Sequence, residues 1–362
     1  MRIVQLANLY SPVSGGLRTA VDELGRGYAK AGHERFLVLP GKGRARRETE
    51  HGTVMTVPGP SVAPGYRLVL DPRPVLRVLE EIRPDSVEVS DKATLTVAAR
   101  WARRRGARSV LLSHERLDAI LAPRVPGRIG LVRGADLWNR RLAGAFDTVV
   151  AASEFAAAEF RRIGAPSVAL VPLGVDLLTF RPSPARAVSG PVRLVLLGRL
   201  SKEKKPGVAV AAVRLLLARG YDVRLDIVGD GVLGPALRRA SAGLPVAFHG
   251  HLGGRSEVAA LLAAADVVLA PCPVEAFGLA VLEALACGTP VVCADAGAAP
   301  ELLAPGAGEA APPTGAGFAD AVERILARPA AEGRAAARAR AERFPWSATV
   351  RGLLAVHGGG GD

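Results

Sequence analysis

Residues 266–301 read DVVLAPCPVEAFGLAVLEALACGTPVVCADAGAAPE. Val267 to Ala270 is an apolar strand, Pro271 and Pro273 occupy the turn after it, and a helix is expected from about Gly278 to Ala286. Val291 to Ala294 is a second apolar strand. Strand, crossover helix and strand at this length make a parallel βαβ unit, whose ligands sit beyond the carboxyl ends of the strands. The polar residues of the stretch fall there. Glu275 leaves the first strand, and Glu283 follows eight residues later. Eight helical residues rotate by about 80° modulo full turns, so both carboxylates can border one crevice. Between them the amides of Ala276, Phe277, Gly278 and Leu279 open the helix, and a helix N-terminus attracts anions. Spacing alone leaves a plainer alternative open, in which Glu275 is a solvated loop charge and Glu283 an exposed helix position.

Working outward, 362 residues suggest two domains at about 150 residues each. No apolar run reaches the ~18 residues of a membrane span, and the opening MRIVQLANLY reads as a strand rather than a signal peptide. A cytoplasmic protein is expected. Cys272, Cys287 and Cys293 lack metal-ligand spacing and read as buried free thiols. A formal charge of +13 points to anionic partners: nucleic acid, acidic lipid headgroups or nucleotide-linked substrates. Nucleic acid ranks last, because no helix-turn-helix, zinc finger or aromatic-lined sheet accompanies the charge.

In the first half, a strand from Arg2 to Asn8 runs through Gly15-Gly16 into a helix ending near Ala31. Paired glycines there admit close approach of a diphosphate, with Arg18 adding charge one turn on. Strands follow at Phe36 to Leu39 and Val54 to Val57. Residues 41–52 are expected to be a basic loop, and Pro58 to Tyr66 a surface loop. Helices at Pro74 to Ile82 and Ala93 to Arg105 alternate with strands at Val87 to Val89 and Val110 to Ser113, which indicates a doubly wound parallel sheet. His114-Glu115 after the last strand is not a zincin motif, since the fifth position is Asp118. Two segments carry Trp among arginines: Trp101 with Arg100, Arg103, Arg104 and Arg105, and Trp138 with Arg128, Arg133, Arg140 and Arg141. They are either membrane-surface helices or crossover helices with one solvated basic face.

Arg181 to Pro191 reads as a linker. Beyond it, Val192 to Leu197 leads to Arg199 and Lys204 in a strand-to-helix turn, where cations can neutralise a diphosphate. Gly229 to Gly234 fits GxGxxG, yet nothing acidic appears from Val232 to Ser256 to read a ribose, so a nicotinamide site is disfavoured. His249 and His251 have no carboxylate or thiol beside them in the sequence to complete a metal site.

The pattern Glu275-x7-Glu283, enclosing Phe277-Gly278 and followed by Gly288-Thr289-Pro290-Val291-Val292, resembles the signature of retaining glycosyltransferases of family 4 (group 1). The string Ser113-His114-Glu115-Arg116-Leu117-Asp118 is similar to actinobacterial GDP-mannose-dependent lipid α-mannosyltransferases of that family. The resemblance implies an α/β GT-B fold, two facing Rossmann-like domains with a cleft between them and a C-terminal helix crossing back. The domains are expected at 1–178 and 179–344, with the helix and tail at 345–362.

It further implies that His114 meets the transferred sugar, with Arg116 and Asp118 as secondary acceptor-side residues. Glu275 would hold sugar hydroxyls, Glu283 the ribose, and Arg199 and Lys204 the leaving phosphate. Gly15, Gly16, Arg18, Gly229, Leu252, Ala276, Phe277, Gly278 and Leu279 would line the donor. No cofactor and no metal are expected, since no DxD motif occurs. The implied partners are a nucleotide diphosphate sugar, a glycolipid or natural-product acceptor, and an anionic membrane face. GDP-mannose is the donor implied, with UDP-glucose or UDP-N-acetylglucosamine as the alternative. An NAD oxidoreductase and a non-catalytic anion binder are the competing classes.

Overall fold

The computed structural model describes residues 1–8, 10–11, 15–63, 65–116, 118, 128–183 and 190–358. The chain divides into two compact units, Met1–Leu173 with Trp346–Asp362, and Gly174–Pro345.

In the first unit the elements run β1 (Arg2–Leu6), α1 (Gly16–Lys30), β2 (Glu34–Gly41), β3 (Ala45–Thr49), β4 (Gly52–Pro58), β5 (Ser61–Ala63), β6 (Tyr66–Arg67), α2 (Arg73–Ile82), β7 (Ser86–Val89), α3 (Val97–Arg105), β8 (Arg108–Ser113), α4 (Arg128–Ala145), β9 (Thr148–Ala151), α5 (Glu154–Arg161) and β10 (Val168–Leu170). The sheet order is β10-β9-β8-β7-β1-β2-β4-β3, parallel except for β3. Strands such as Ser86–Val89 and Thr148–Ala151 are buried throughout, as expected where helices cover both faces of a parallel sheet. Ser153 caps α5 by accepting from the Ala156 N–H at 3.0 Å.

The second unit comprises β11 (Val192–Leu197), α6 (Gly207–Ala218), β12 (Val223–Val228), α7 (Gly234–Ala240), β13 (Val246–Gly250), α8 (Arg255–Ala264), β14 (Val267–Ala270), α9 (Leu279–Ala286), β15 (Val291–Ala294), β16 (Gly308–Ala311), α10 (Gly315–Leu326) and α11 (Ala330–Ala341). Its sheet, β13-β12-β11-β14-β15-β16, is parallel throughout. Leu194, Leu196, Leu225, Ile227 and Val292 pack with Val213, Leu216 and Phe318 of the helices into one core. Each unit is thus a doubly wound, Rossmann-like α/β layer.

The last helix, α12 (Trp346–Gly358), belongs to the first unit. Its Val350 and Leu353 join the core around Ile3, Leu24 and Tyr28. Val350 seats over Gly27, where a Cβ would come within 2.2 Å of it. The units part after Leu173 rather than after residue 178. Gly174-Val175-Asp176 therefore sits in the second unit, where the Val175 N–H donates to the Phe344 carbonyl at 2.9 Å. The linker residues 184–189 lie outside the described residues.

Two sequence expectations are corrected. Residues 41–52 are not simply a loop, because Ala45–Thr49 forms an antiparallel edge strand with β4. ARRET carries no apolar alternation, since its first four residues are exposed, and a charged edge of this kind discourages pairing with other chains. Pro58 to Tyr66 likewise contains the two-stranded β5–β6 hairpin.

Candidate functional site

In the second unit, three turns at the carboxyl ends of β11, β12 and β13 are knitted by backbone hydrogen bonds. Gly198 N–H donates to the Val228 carbonyl at 2.9 Å, Leu200 N–H to Asp230 at 2.9 Å and Gly229 N–H to Gly250 at 2.7 Å. Gly229 has φ +124°, and a Cβ there would lie 2.0 Å from the Gly198 carbonyl oxygen; at Gly231 it would lie 2.5 Å from that of Leu200. Gly229 and Gly231 of the GxGxxG string therefore serve turn-against-turn packing. Leu252 follows in the third turn, half-buried.

The first turn delivers Lys204, whose Nζ lies 2.5 Å from Oε2 of Glu275 in the loop after β14. Burial alone would lower Lys204, but the Glu275 carboxylate outweighs it and holds the ammonium above its ordinary range. Glu275 is fixed from behind: its carbonyl accepts from Ala298 N–H at 2.8 Å. Gly297, at φ +85°, has its Cα against the Glu275 backbone, where a Cβ would be 3.0 Å from the Glu275 nitrogen. Arg199 is exposed and reaches Glu203 at 3.5 Å. Gly278 precedes α9 at φ +100°, and the chain enters the helix there with Ala276 and the buried Phe277 just before it and Leu279 as first helical residue. This places an ammonium, a carboxylate and a helix N-terminus on one strand edge.

Glu283 lies one turn into α9, half-buried. Burial pushes its carboxyl up to about 7, with Arg255 opposing and Asp176 adding to the rise. Among the described residues no hydrogen bond or ion pair engages this carboxylate. Arg255 instead reaches Asp176 at 3.9 Å and lies over the Phe180 ring. The sequence reading missed Asp176 and Arg255 as neighbours of Glu283, because each comes from a distant element. The three cysteines are buried and free, and burial lifts Cys272 to about 11 and Cys287 and Cys293 to about 12, so none is a thiolate near neutrality.

His249 and His251 are engaged separately. His249 Nε2 lies 2.8 Å from Asp226 Oδ1, a carboxylate that the sequence reading did not place there, and the His251 N–H donates to Asp230 at 2.9 Å. Among the described residues no three metal-ligating side chains cluster.

In the first unit, His114 follows β8 and is half-buried, its Nδ1 enclosed without a hydrogen-bond partner among the described residues. Burial lowers its pKa, Glu115 and Asp91 oppose, and the Lys92 ammonium lowers it further. His114 is therefore a neutral imidazole at pH 7. Lys92, after β7, was not anticipated. Its buried ammonium bonds to the Glu115 carbonyl at 2.5 Å and pairs with Glu159 of α5, which Asn139 Nδ2 also meets at 3.0 Å. The signal was a Ser90-Asp91-Lys92 string at a strand's carboxyl end.

Arg116 and Asp118 bond to each other at 2.7 Å, and Asp118 accepts from Arg162 at 2.9 Å, so their charges are engaged in an internal network. Arg18 lies 3.6 Å from Asp22, which also accepts from the Tyr10 hydroxyl at 2.8 Å. At Gly15 a Cβ would meet nothing within 4 Å among the described residues, and Gly16 opens α1. Pro12 to Ser14 of the same loop lie outside the described residues, as does Leu117. Trp101 donates to Glu80 at 2.8 Å and Trp138 to the Lys92 carbonyl at 2.7 Å, both packed on the core. These indoles are thus held inside the unit, while Arg133, Leu137, Arg140 and Arg141 of α4 face outward. Among the described residues no helix is long and apolar enough to cross a membrane.

Known proteins resemble this chain along nearly its whole length. Residues 14–179 match the family described as Glycosyltransferase Family 4, and residues 191–328 that described as Glycosyl transferases group 1. The chain is 45% identical to a GDP-mannose-dependent alpha-(1-6)-phosphatidylinositol dimannoside mannosyltransferase of Mycobacterium tuberculosis, over 99% of this chain and 96% of that one. It is 31% identical to a GDP-mannose-dependent alpha-(1-6)-phosphatidylinositol monomannoside mannosyltransferase of Mycolicibacterium smegmatis, over 72% of this chain and 69% of that one. In fold it resembles sucrose-phosphate synthase from Thermosynechococcus elongatus, with a TM-score of 0.81 and 19% identity, covering 99% of this chain and 98% of that one.

Proposed function

The chain belongs to the family 4, group 1 glycosyltransferases and has their GT-B fold, and on that footing we propose that it transfers mannose from GDP-mannose to a mannosylated phosphatidylinositol. We further propose that it does so with retention of configuration and without a metal ion. The 45% identity along nearly the whole chain to an enzyme of that description carries the reading.

The residues support a division of labour. Lys204 and Arg199, with the N-terminus of α9, would stabilise charge on the leaving diphosphate, a preorganised electrostatic contribution that needs no divalent ion. Glu275, held by Lys204 and by the loop around Gly297, would accept hydrogen bonds from sugar hydroxyls. Glu283, without an internal partner among the described residues, would accept them from the ribose. Gly15 would let the backbone approach the diphosphate, since no atom of the described residues crowds the position of its missing Cβ. Neutral His114 can hydrogen-bond an uncharged sugar hydroxyl or carbonyl without placing a second cation beside an oxocarbenium-like centre. The leaving phosphate would accept the acceptor's proton on the same face, which retains configuration. A lipid-borne acceptor requires contact with an anionic surface, for which the exposed Arg100 and Arg104 of α3 are candidates, and a site at the inner face of the cell membrane follows.

The test is transfer from GDP-mannose to phosphatidylinositol dimannoside in vesicles, with and without chelator, and nuclear magnetic resonance of the new anomeric centre. An α-mannoside formed at unchanged rate in chelator is expected. Preference for UDP-glucose or UDP-N-acetylglucosamine would overturn the donor, and a strict divalent requirement would overturn the charge argument.

A further inference from the structure

The first unit contains a pocket of about 380 Å³ that none of the roles above uses, lined by Tyr10, Pro40, Ser61, Gly65, Tyr66 and Arg67. We propose that it is an acceptor subsite holding a hexose ring already present on the acceptor, away from the hydroxyl that is glycosylated. The proposal rests on the glycosyl-transfer reading, whose acceptor already carries mannose, and assigns a place to one of those rings.

Position is the first argument. Tyr10 follows β1 and Pro40 lies near the end of β2, so the pocket opens at the same carboxyl edge of the sheet as His114 after β8. The order β8-β7-β1-β2 puts two to three strand spacings between them, roughly 10–14 Å. A group in the pocket cannot be the one reacting beside His114, yet a single oligosaccharide can reach both.

Preformation is the second. Val69 N–H donates to Asn8 Oδ1 at 2.9 Å and Leu68 N–H to the Pro60 carbonyl at 3.1 Å, which ties the base of the β5–β6 hairpin to the strand edge. At Gly59 a Cβ would lie 2.7 Å from the Leu68 carbonyl oxygen and 2.9 Å from Pro40 Cβ, so hairpin and β2 are in backbone contact.

Chemistry is the third. Two phenol rings supply apolar faces with a polar tip, and the Tyr66 hydroxyl has no partner among the described residues. Arg67 gives one N–H to the Gly59 carbonyl at 2.6 Å, which fixes the guanidinium and leaves its other donors for hydroxyl oxygens. Ser61 adds a hydroxyl at the exposed rim. Phenol faces with hydroxyl and guanidinium donors match a polyol that stacks and accepts hydrogen bonds; the same guanidinium also attracts phosphate, and displacement by inorganic phosphate separates the two. The volume lies at the low end of the ~300–1,000 Å³ of ligand pockets, enough for a sugar and not for acyl chains.

The experiment titrates α-1,6-linked mannobiose, without donor, into the full chain and into Tyr66→Ala, Tyr66→Phe and Ser61→Trp, by saturation-transfer resonance and calorimetry. Transfer from GDP-mannose is assayed separately on the wild type. Wild type is expected to bind mannobiose at millimolar concentration, Tyr66→Ala about tenfold more weakly, and Tyr66→Phe, which keeps the ring and loses the hydroxyl, about threefold more weakly. Ser61→Trp, an exposed position that tolerates bulk, should block binding even if Tyr66→Ala proves poorly folded. Equal binding by wild type and Ser61→Trp, no binding by wild type, or displacement by inorganic phosphate would each overturn the subsite. Failure of GDP-mannose turnover in the wild type would instead strike the proposed function, while the mannobiose titration still reads the pocket.

Discussion

Replacing Glu283 by Gln tests the donor site through its pH dependence. The carboxyl is pushed up to about 7 by burial and has no internal partner among the described residues, so below neutrality it is largely protonated. If the ribose hydroxyls donate to it, donor binding requires the ionised form. At about pH 8 some nine-tenths of the molecules carry the carboxylate and at about pH 6 about one-tenth, so affinity for GDP-mannose falls about tenfold between them. The donor contributes no titration there, because its diphosphate is esterified at both ends. Glu283→Gln should bind more weakly at pH 8 by roughly 1.5–3 kcal/mol, the worth of a charge-assisted hydrogen bond, with affinity flat across the range.

Stability without donor moves the other way. Below about 4.5 both folded and unfolded chains are protonated at this position. Between there and 7 the unfolded chain ionises first and holds fewer protons, so stability falls as pH rises, by about 3 kcal/mol in all. The Gln variant escapes that loss and should be the more stable protein above pH 7. Calorimetric titration of GDP-mannose and urea unfolding, each at several pH values, read both effects. A wild-type affinity independent of pH, or a Gln variant with the wild-type slope, would refute the ribose role.

Lys204→Met removes the ammonium from beside Glu275 and should lower single-turnover transfer by about 10²–10³, as loss of one preorganised charge-stabilising donor does; full activity would show the phosphate clamp to be misassigned. Lys92→Met leaves the buried Glu159 carboxylate with Asn139 but without its ammonium and should cost about 3–5 kcal/mol in urea unfolding, with most of it recovered by the double change Lys92→Met, Glu159→Gln. An unchanged unfolding midpoint in the single variant would contradict the buried pair. Gly229→Ala forces a Cβ onto the Gly198 carbonyl at a φ of +124°, so roughly 1–3 kcal/mol of strain or displaced turns is expected, with weakened nucleotide binding; a wild-type melting temperature would count against the turn-packing role.

Where the chain alternates short apolar runs with helices, as from Val267 to Ala294, the elements could be read to within a residue or two, since strands buried on both faces announce themselves. The helix around Glu283 was legible for the same reason. What spacing could not show is environment. Lys204 and Glu275 were each placed at the strand edge, but their direct pairing depends on two loops 71 residues apart meeting. Arg116 and Asp118 looked available, and their network with Arg162 of the neighbouring α5 turn became visible only with α4 and α5 packed beside the loop. The edge strand Ala45–Thr49 escaped because pairing, not hydrophobic pattern, makes it a strand.

The buried polar residues of the first unit connect these observations. Glu88 of β7 is fully buried; burial would lift its carboxyl, but hydrogen bonds from His357, Tyr28 and Gln5 outweigh that and hold it below the ordinary range. His357 belongs to α12, and its Nδ1 lies 2.7 Å from the Ser86 hydroxyl of the same strand. A few residues beyond Glu88, the strand delivers Lys92 to the loop of His114. The terminal helix is thus fastened to the strand that sets the histidine loop by a charge that tolerates no missing partner. A buried carboxylate with three donors fixes register more sharply than an apolar contact of the same size, because any shift of α12 strands the charge. That is a physical reason for a polar residue, and not another leucine, at the end of the docking face that Val350 and Leu353 supply.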